Sequence, residues 1–287
     1  HLNSGGKRLR ALLTLEAAKL TGYREDSRDI NLAACVELIH SATLLHDDVI
    51  DESDLRRGVK TTNSIWGNQS SILVGDYLLS RCFEMMVEDG DLEILKLLSS
   101  TSAKIAQGEV LQLQHKGEAD LLEETYIEII NLKTASLFSA ATKTGACLSG
   151  GNDKEKKALE SYGRNLGLAF QIADDALDYF AKEKLFGKEI GKDFFEGKVT
   201  LPLITIFQKG NDEEKSFLTE IMKKEKRNED DFSETLALIY KYKAVEATFK
   251  KAEYFVNVSY DSLAIFPDTE DKKILQNLTS FSLSRSY

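Results

Sequence analysis

Two short acidic runs carry the chemistry the sequence offers most plainly. The first is Asp47, Asp48 and Asp51; the second is Asp174, Asp175 and Asp178, each with the spacing Asp-Asp-x-x-Asp. On a helix, residues four apart share a face, so Asp47 aligns with Asp51 and Asp174 with Asp178. Three carboxylates within about one and a half turns repel one another unless a cation sits among them. Mg²⁺ suits that position, as a hard ion that takes carboxylate oxygens and keeps sites open for water and phosphate. A single run of this kind reads equally well as a solvated helix end. Here both runs follow apolar or small residues, Ala42-Thr43-Leu44-Leu45 and Leu168-Ala169-Phe170-Gln171-Ile172-Ala173. Both helices therefore enter from a core, and all six carboxylates are expected to serve one metal-bound anion.

Basic residues stand beside both runs. Gly5-Gly6-Lys7-Arg8-Leu9-Arg10 places Lys7 and Arg10 three apart at a helix start, where free N–H groups also favour anions. Arg56 and Arg57 follow the first run, and Lys133-Thr134, Lys188 and Lys198 lie near further expected helix ends. A lone basic pair is ordinary surface. Basic groups beside two carboxylate faces instead imply two anion sites, one reached through metal and one by direct contact with Arg and Lys. His40 lies seven residues before Asp47, two turns away on the same face. His46 adjoins the first run with packing as its expected role, and His115 is expected at the surface.

The elements that must position these groups read as helices. Periodicity predicts helices over 7–20, from Ser27 or Asp29 as cap into the first acidic run, and over 70–88, 91–116, 123–147, 154–180, 199–208, 212–224, 230–241, 243–263 and 270–284. Residues 51–68 read as a loop. With no repeat and no Gly/Ser/Pro-rich linker, the expectation is an all-α fold with all 287 residues in a single domain. Its middle helices are too apolar to lie on a surface.

Composition narrows the partners. Hydrophobic residues make up 42% and charged residues 29%, ordinary for a soluble globular chain. A net charge of −10 argues against nucleic acid, whose phosphate backbone selects basic faces. Cys35, Cys82 and Cys147 are widely spaced and odd in number, as in a reduced cytoplasmic protein with buried thiols. No apolar run approaches the roughly 20 residues that span a bilayer. The chain starts at His1 without an initiator Met, as expected of a fragment.

With these residues in view, the sequence resembles the trans-isoprenyl diphosphate synthase (polyprenyl synthetase) family. The matching strings are GGKRLR at 5–10, HSATLLHDDVIDESDLRRG at 40–58, GDYLLSR at 75–81, GEVLQL at 108–113, KTASLF at 133–138, FQIADDALDY at 170–179 and GKDFFEGKVTLPL at 191–203. They run in family order over most of the chain; the family's helices before GGKRLR are absent. The resemblance implies an antiparallel helical bundle around a central cavity. It also implies Mg²⁺-dependent condensation of isopentenyl diphosphate with an allylic prenyl diphosphate, with three ions per loaded site, and a homodimer. Asp47, Asp51 and Asp174, supported by Asp48, Asp175 and Asp178, are then the metal carboxylates for the allylic diphosphate. Arg56, Lys133, Lys188 and Lys198 are its direct cationic contacts. Lys7, Arg10, His40 and Arg57 form the isopentenyl diphosphate site, and Thr134 and Gln171 lie near the reacting carbon. Departure of diphosphate leaves an allylic cation, which the isopentenyl double bond attacks. The released diphosphate takes the final proton, so no protein base is needed.

Product length turns on what lies below the metals. At 1.5 Å per residue, Ala42 sits about 7–8 Å from Asp47 along its helix. In the family a bulky aromatic at that depth closes the tunnel early. Ser41-Ala42-Thr43 has none, and the first acidic run carries no insertion. The expectation is a medium to long product of the octaprenyl or decaprenyl kind, as in quinone tails, with peripheral membrane contact at its release. Ala42 and Thr43 line the tunnel, and Phe83, Met86 and Leu98 are candidate floor residues. The rivals are a shorter-chain synthase, a class I terpene cyclase and a non-catalytic subunit of a heteromeric synthase. The second acidic run argues against the cyclase and the intact pair of runs against the subunit.

Overall fold

The computed structural model describes residues 8–24, 27–56, 58–180 and 190–283. In chain order these form α1 (Leu9–Leu20), α2 (Arg28–Ile50), β1 (Leu55–Arg56), β2 (Val59–Lys60), α3 (Thr62–Trp66), α4 (Asn68–Asp89), α5 (Leu92–Gln114) and α6 (Glu123–Ile130). A π-helical segment (Asn131–Ala135) leads into α7 (Ser136–Leu148) and then α8 (Asp153–Asp178). Beyond it lie α9 (Lys192–Glu196), α10 (Leu201–Lys209), α11 (Asp212–Met222), α12 (Glu229–Lys241), α13 (Ala244–Ser262), a 3₁₀ turn (Leu263–Ile265) and α14 (Glu270–Leu283).

Side-chain size decides which helix lies at the centre. α7 buries ten of its 13 residues, several of them Ala, Gly or Thr, so neighbours approach it closely. α1, α5 and α8 all pack against it. Gly145 of α7 shows how closely: a Cβ there would lie 2.5 Å from the backbone nitrogen of Ala18 on α1. α2 packs on α4, while α13 covers the other side of α8. Helix starts are fixed by local chemistry. Asn152, Asn211 and Asn228 each cap a helix and are answered three residues on by Glu155, Glu214 and Asp231 in reciprocal capping boxes.

The predicted helices appear at their places, with three differences. The run over 123–147 is interrupted, because residues 131–135 widen into a π turn. The expected loop after α2 holds the two-residue antiparallel pair β1–β2, with Arg56 opposite Val59, and the single turn of α3. Another single turn, α9, follows the second acidic run. All three are too short for periodicity to register. No described helix is long and apolar enough to cross a membrane.

Candidate active site

The first acidic run occupies the last turn of α2, and its members part ways there. Asp48 is completely buried and accepts 2.8 Å from Arg56 Nε, while its backbone carbonyl accepts from the Asn63 amide. It thus ties the β1–β2 hairpin to the end of α2. Asp47 and Asp51 lie on the half-buried face. Burial, with Glu109 and Asp51 nearby, pushes the Asp47 carboxyl up to about 6, against the pull of Lys133 and Arg56. At Asp51 burial also acts upward, but Lys198 outweighs it and the carboxyl ends below its usual range.

The second run divides in the same way at the end of α8. Asp175 is 3% exposed and accepts 2.6 Å from the Tyr126 hydroxyl and 2.8 Å from Gln171 Nε2. Asp178 accepts from the backbone N–H groups of Lys192 and Asp193, at 3.2 and 3.0 Å, and so caps α9. Burial and the charges of Asp193 and Asp174 raise the Asp178 carboxyl to about 8. Within each run the members therefore differ in their partners. Asp48 and Asp175 are buried and bonded to protein, because the second position of each run turns about 100° away from the first.

α9 and the residues after it join the two runs across one cleft. Lys198 Nζ lies 2.9 Å from Asp51 Oδ2 and 2.8 Å from Glu196 Oε2, and its backbone N–H donates to the Asp193 carbonyl. Burial opposes the Lys198 charge, yet Asp51, Glu196 and Asp193 prevail and raise its pKa. Asp193 is pushed up to about 6 by burial and by Glu196, Asp174 and Asp51, with Lys198 opposing, so it feels both runs at once. Lys192 reaches the loop after α2 through Ser53, at 2.9 Å.

Lys133 and Thr134 come from the π segment. Such a turn adds a residue to one helical winding and re-aims the side chains around it. Lys133 pairs with Glu109 and donates 2.8 Å to Gln112, both on α5. Gly108 makes that approach possible: a Cβ there would lie 2.6 Å from the backbone nitrogen of Lys133. Thr134 Oγ1 donates 2.9 Å to Gln171 Oε1, linking the segment to α8. Two turns before Asp47 on α2, His40 meets Arg10 at 3.1 Å, with the Arg10 guanidinium 4.3 Å above the Phe138 ring.

The expected tunnel residues separate as well. Ala42, Met86 and Leu98 are fully buried, Ala42 on α2 and the other two in the core that α2 shares with α4, α5 and α7. Thr43 is half-buried, its hydroxyl returned to the His40 carbonyl. Phe83 is 37% exposed, because α4 turns Ser71, Gly75, Cys82 and Met86 inward and leaves Phe83 on its outer side. His46 lies over Gly75, with Nε2 3.3 Å from both Asp76 and the Ile72 carbonyl, and His115 pairs with Glu118. Lys7, Arg57 and Lys188 lie outside the described residues.

Glu109, Gln112, Tyr126 and Asp193 join the site without having been singled out by spacing. The strings GEVLQL and GKDFFEGK contain three of them, but only the packing shows which members face the cleft.

Among the described residues no three carboxylate, imidazole or thiol groups converge closely enough to ligate an ion unaided. The donors nevertheless suit a hard divalent cation. Asp47 and Asp51 stand on one helix end, with Asp174 and Asp178 on another, and burial, joined by neighbouring carboxylates, raises the Asp47 and Asp178 carboxyls. An ion held there completes its shell from water or an anionic ligand.

A mostly helical bundle with two aspartate-bearing helix ends and lysines between them defines the isoprenoid synthase class of fold. The chain belongs to the polyprenyl synthetase family: the family model of that description matches residues 1–239. The octaprenyl diphosphate synthase of Escherichia coli is 40% identical over 285 residues, covering 99% of this chain and 87% of that one. The crystal structure of a decaprenyl diphosphate synthase from Rhodobacter capsulatus superposes with a TM-score of 0.94 at 42% identity, over 99% of this chain and 87% of the other. A polyprenyl synthase from Caulobacter crescentus, complexed with calcium and isoprenyl diphosphate, gives 0.93 at 44% identity, over 99% and 86%.

Proposed function

We propose that this protein is a trans-prenyltransferase that condenses isopentenyl diphosphate with an allylic prenyl diphosphate to a medium or long all-trans chain. The observation that carries this reading is the approach of the Asp47/Asp51 and Asp174/Asp178 faces to one another around Asp193, with Lys198 paired to Asp51 and Lys133 near Asp47.

Asp47, Asp51, Asp174 and Asp178 are the carboxylates we assign to Mg²⁺, three ions when substrate is bound. Bound Mg²⁺ neutralises the charge that develops on the departing diphosphate. Asp48 and Asp175 support this set from behind through Arg56, Gln171 and Tyr126. Lys133 and Lys198, with Arg56 and Lys188, supply direct cationic contact to the same diphosphate, and the fixed positions of Lys133 and Lys198 cost no reorganisation as it leaves. Glu109, Gln112, Asp51 and Glu196 hold Lys133 and Lys198, so diphosphate exchanges one set of acceptors for another. Arg10 and His40, with Lys7 and Arg57, hold isopentenyl diphosphate, whose double bond then faces the allylic carbon. Thr134 and Gln171 turn oxygen dipoles toward the developing cation. No side chain is needed as the final base.

Small residues below the site and the octaprenyl and decaprenyl synthases among the relatives favour a long product over a farnesyl or geranylgeranyl one. Such products are the tails of quinones such as ubiquinone, and releasing one brings the protein into peripheral contact with a membrane. A homodimer is part of the same reading, supported by apolar side chains left bare on α3–α5, with Trp66, Leu73, Tyr77 and Val87 about two-thirds exposed. The cytoplasm suits its three buried free thiols. The test is incubation with farnesyl diphosphate, labelled isopentenyl diphosphate and Mg²⁺, with products resolved by chain length. A labelled ladder of prenyl diphosphates is the expected result. Cyclic hydrocarbon without label, or no turnover, overturns the reading.

A further inference from the structure

A buried chain of hydrogen bonds runs behind Gln171. It begins at Tyr126 of α6, 2% exposed, whose hydroxyl donates 2.6 Å to Asp175 Oδ2. The other oxygen of Asp175 accepts 2.8 Å from Gln171 Nε2. Gln171 Oε1 in turn accepts 2.9 Å from Thr134 Oγ1. From the proposed function, on which this inference rests, Thr134 and Gln171 face the reacting carbon.

The direction of the Gln171 amide matters because its two ends have opposite polarity. The oxygen end stabilises a developing allylic cation, whereas the NH₂ end opposes it. An isolated glutamine can present either, since the two ends have nearly the same shape. Here the choice is made by partners. Burial pushes the Asp175 carboxyl up, but the hydrogen bonds from Tyr126 and Gln171 favour its ionised form, which only accepts; the NH₂ end then faces Asp175 and the oxygen is left toward Thr134 and the cleft. Asp175 is itself held by Tyr126, whose hydroxyl makes no other hydrogen bond among the described residues and loses rotational freedom by burial.

We propose that Tyr126 and Asp175 are positioning residues that fix the Gln171 carbonyl oxygen toward the allylic carbon. Asp175 serves the reaction through this amide and not as a metal ligand. Tyr126 also stands one turn before the π segment, so the same side chain anchors the amide and the helix that supplies Thr134 and Lys133.

The experiment is a double-mutant cycle on the whole chain. Tyr126→Phe removes one oxygen. It should lower kcat by about tenfold, equivalent to ~1.4 kcal/mol, and leave KM for both substrates within about twofold. Gln171→Leu should cost more, and combining it with Tyr126→Phe should cost nothing further, since the hydroxyl acts only through the amide. A double variant slower by the product of the two single effects overturns the proposal, as does wild-type kcat in Tyr126→Phe. Thermal melts show whether each variant is folded at the assay temperature. If Tyr126→Phe is not, Asp175→Asn takes its place, because its own NH₂ can turn the Gln171 amide round. It should lower kcat while calorimetric affinity for Mg²⁺ with inorganic diphosphate stays within about threefold of wild type, and a larger loss of that affinity returns Asp175 to the metal and refutes the assignment. Absence of prenyl chains from the wild type would sink the underlying function. An active wild type with an unaffected Tyr126→Phe sinks only this inference.

Discussion

Gly108→Ala adds a single methyl group, and its consequence can be worked out from the structure. The new Cβ would lie 2.6 Å from the Lys133 backbone nitrogen, 2.9 Å from Leu132 Cβ and 3.0 Å from Lys133 Cα. Comfortable carbon contacts lie near 3.5–4.0 Å, so α5 and the π segment must separate by about 1 Å. The nearest atom is backbone, which cannot rotate away as a flexible side chain would. Overpacking of this kind costs about 1–3 kcal/mol of stability, a shift of a few degrees in the melting midpoint. The effect on catalysis should be larger than that on stability, because the moving segment carries Lys133 and Thr134 while Glu109 and Gln112 stay on α5. A displacement of about 1 Å at reacting groups can cost on the order of 10²-fold in rate. The assay is initial-rate incorporation of labelled isopentenyl diphosphate, run beside a thermal melt of the same preparation. A folded Gly108→Ala enzyme with kcat within about twofold of wild type would refute the claim that this close approach sets the position of Lys133.

Further outcomes follow from the same geometry. Ala42→Tyr fills a buried site about 7–8 Å from Asp47 and should shorten the product ladder while leaving the first condensation intact; an unchanged ladder on chromatography counts against the tunnel assignment. Lys198→Met removes the cation shared by Asp51 and Glu196, and should lower kcat/KM for the allylic substrate by roughly 10–100-fold in steady-state assays, the scale of a charge-assisted contact. Leu73→Asp, placed on a bare apolar face, should leave the monomer's melting midpoint nearly unchanged but shift the protein to the monomer mass in light scattering. A retained dimer would move the interface elsewhere.

The helices and both acidic runs were legible in the sequence because they depend on local periodicity and spacing. Asp47 and Asp51 share a face on any helix, whatever packs against it. The family strings extended that reading to the lysines, Thr134 and Gln171. What spacing could not resolve was division of labour within a run. Asp48 and Asp175 have the same chemistry as their neighbours, and only burial against Arg56 or Tyr126 separates them. Nor could it reveal the π segment, since one extra residue in a winding leaves the apolar pattern almost unchanged. Phe83 looked like a core residue by hydropathy alone, yet α4 turns its Cys82 and Met86 inward and leaves the ring outside.

Sequence alone thus determined the helical class, the two carboxylate faces and the family, all of which follow from residues close in the chain or from motif identity. Tertiary structure decided which carboxylates are buried against protein partners, that Lys198 pairs with Asp51 and Glu196, and which way Gln171 points. These depend on partners far apart in sequence, such as Tyr126 and Asp175. Hydrogen-bond direction and burial exist only once those partners have been brought together.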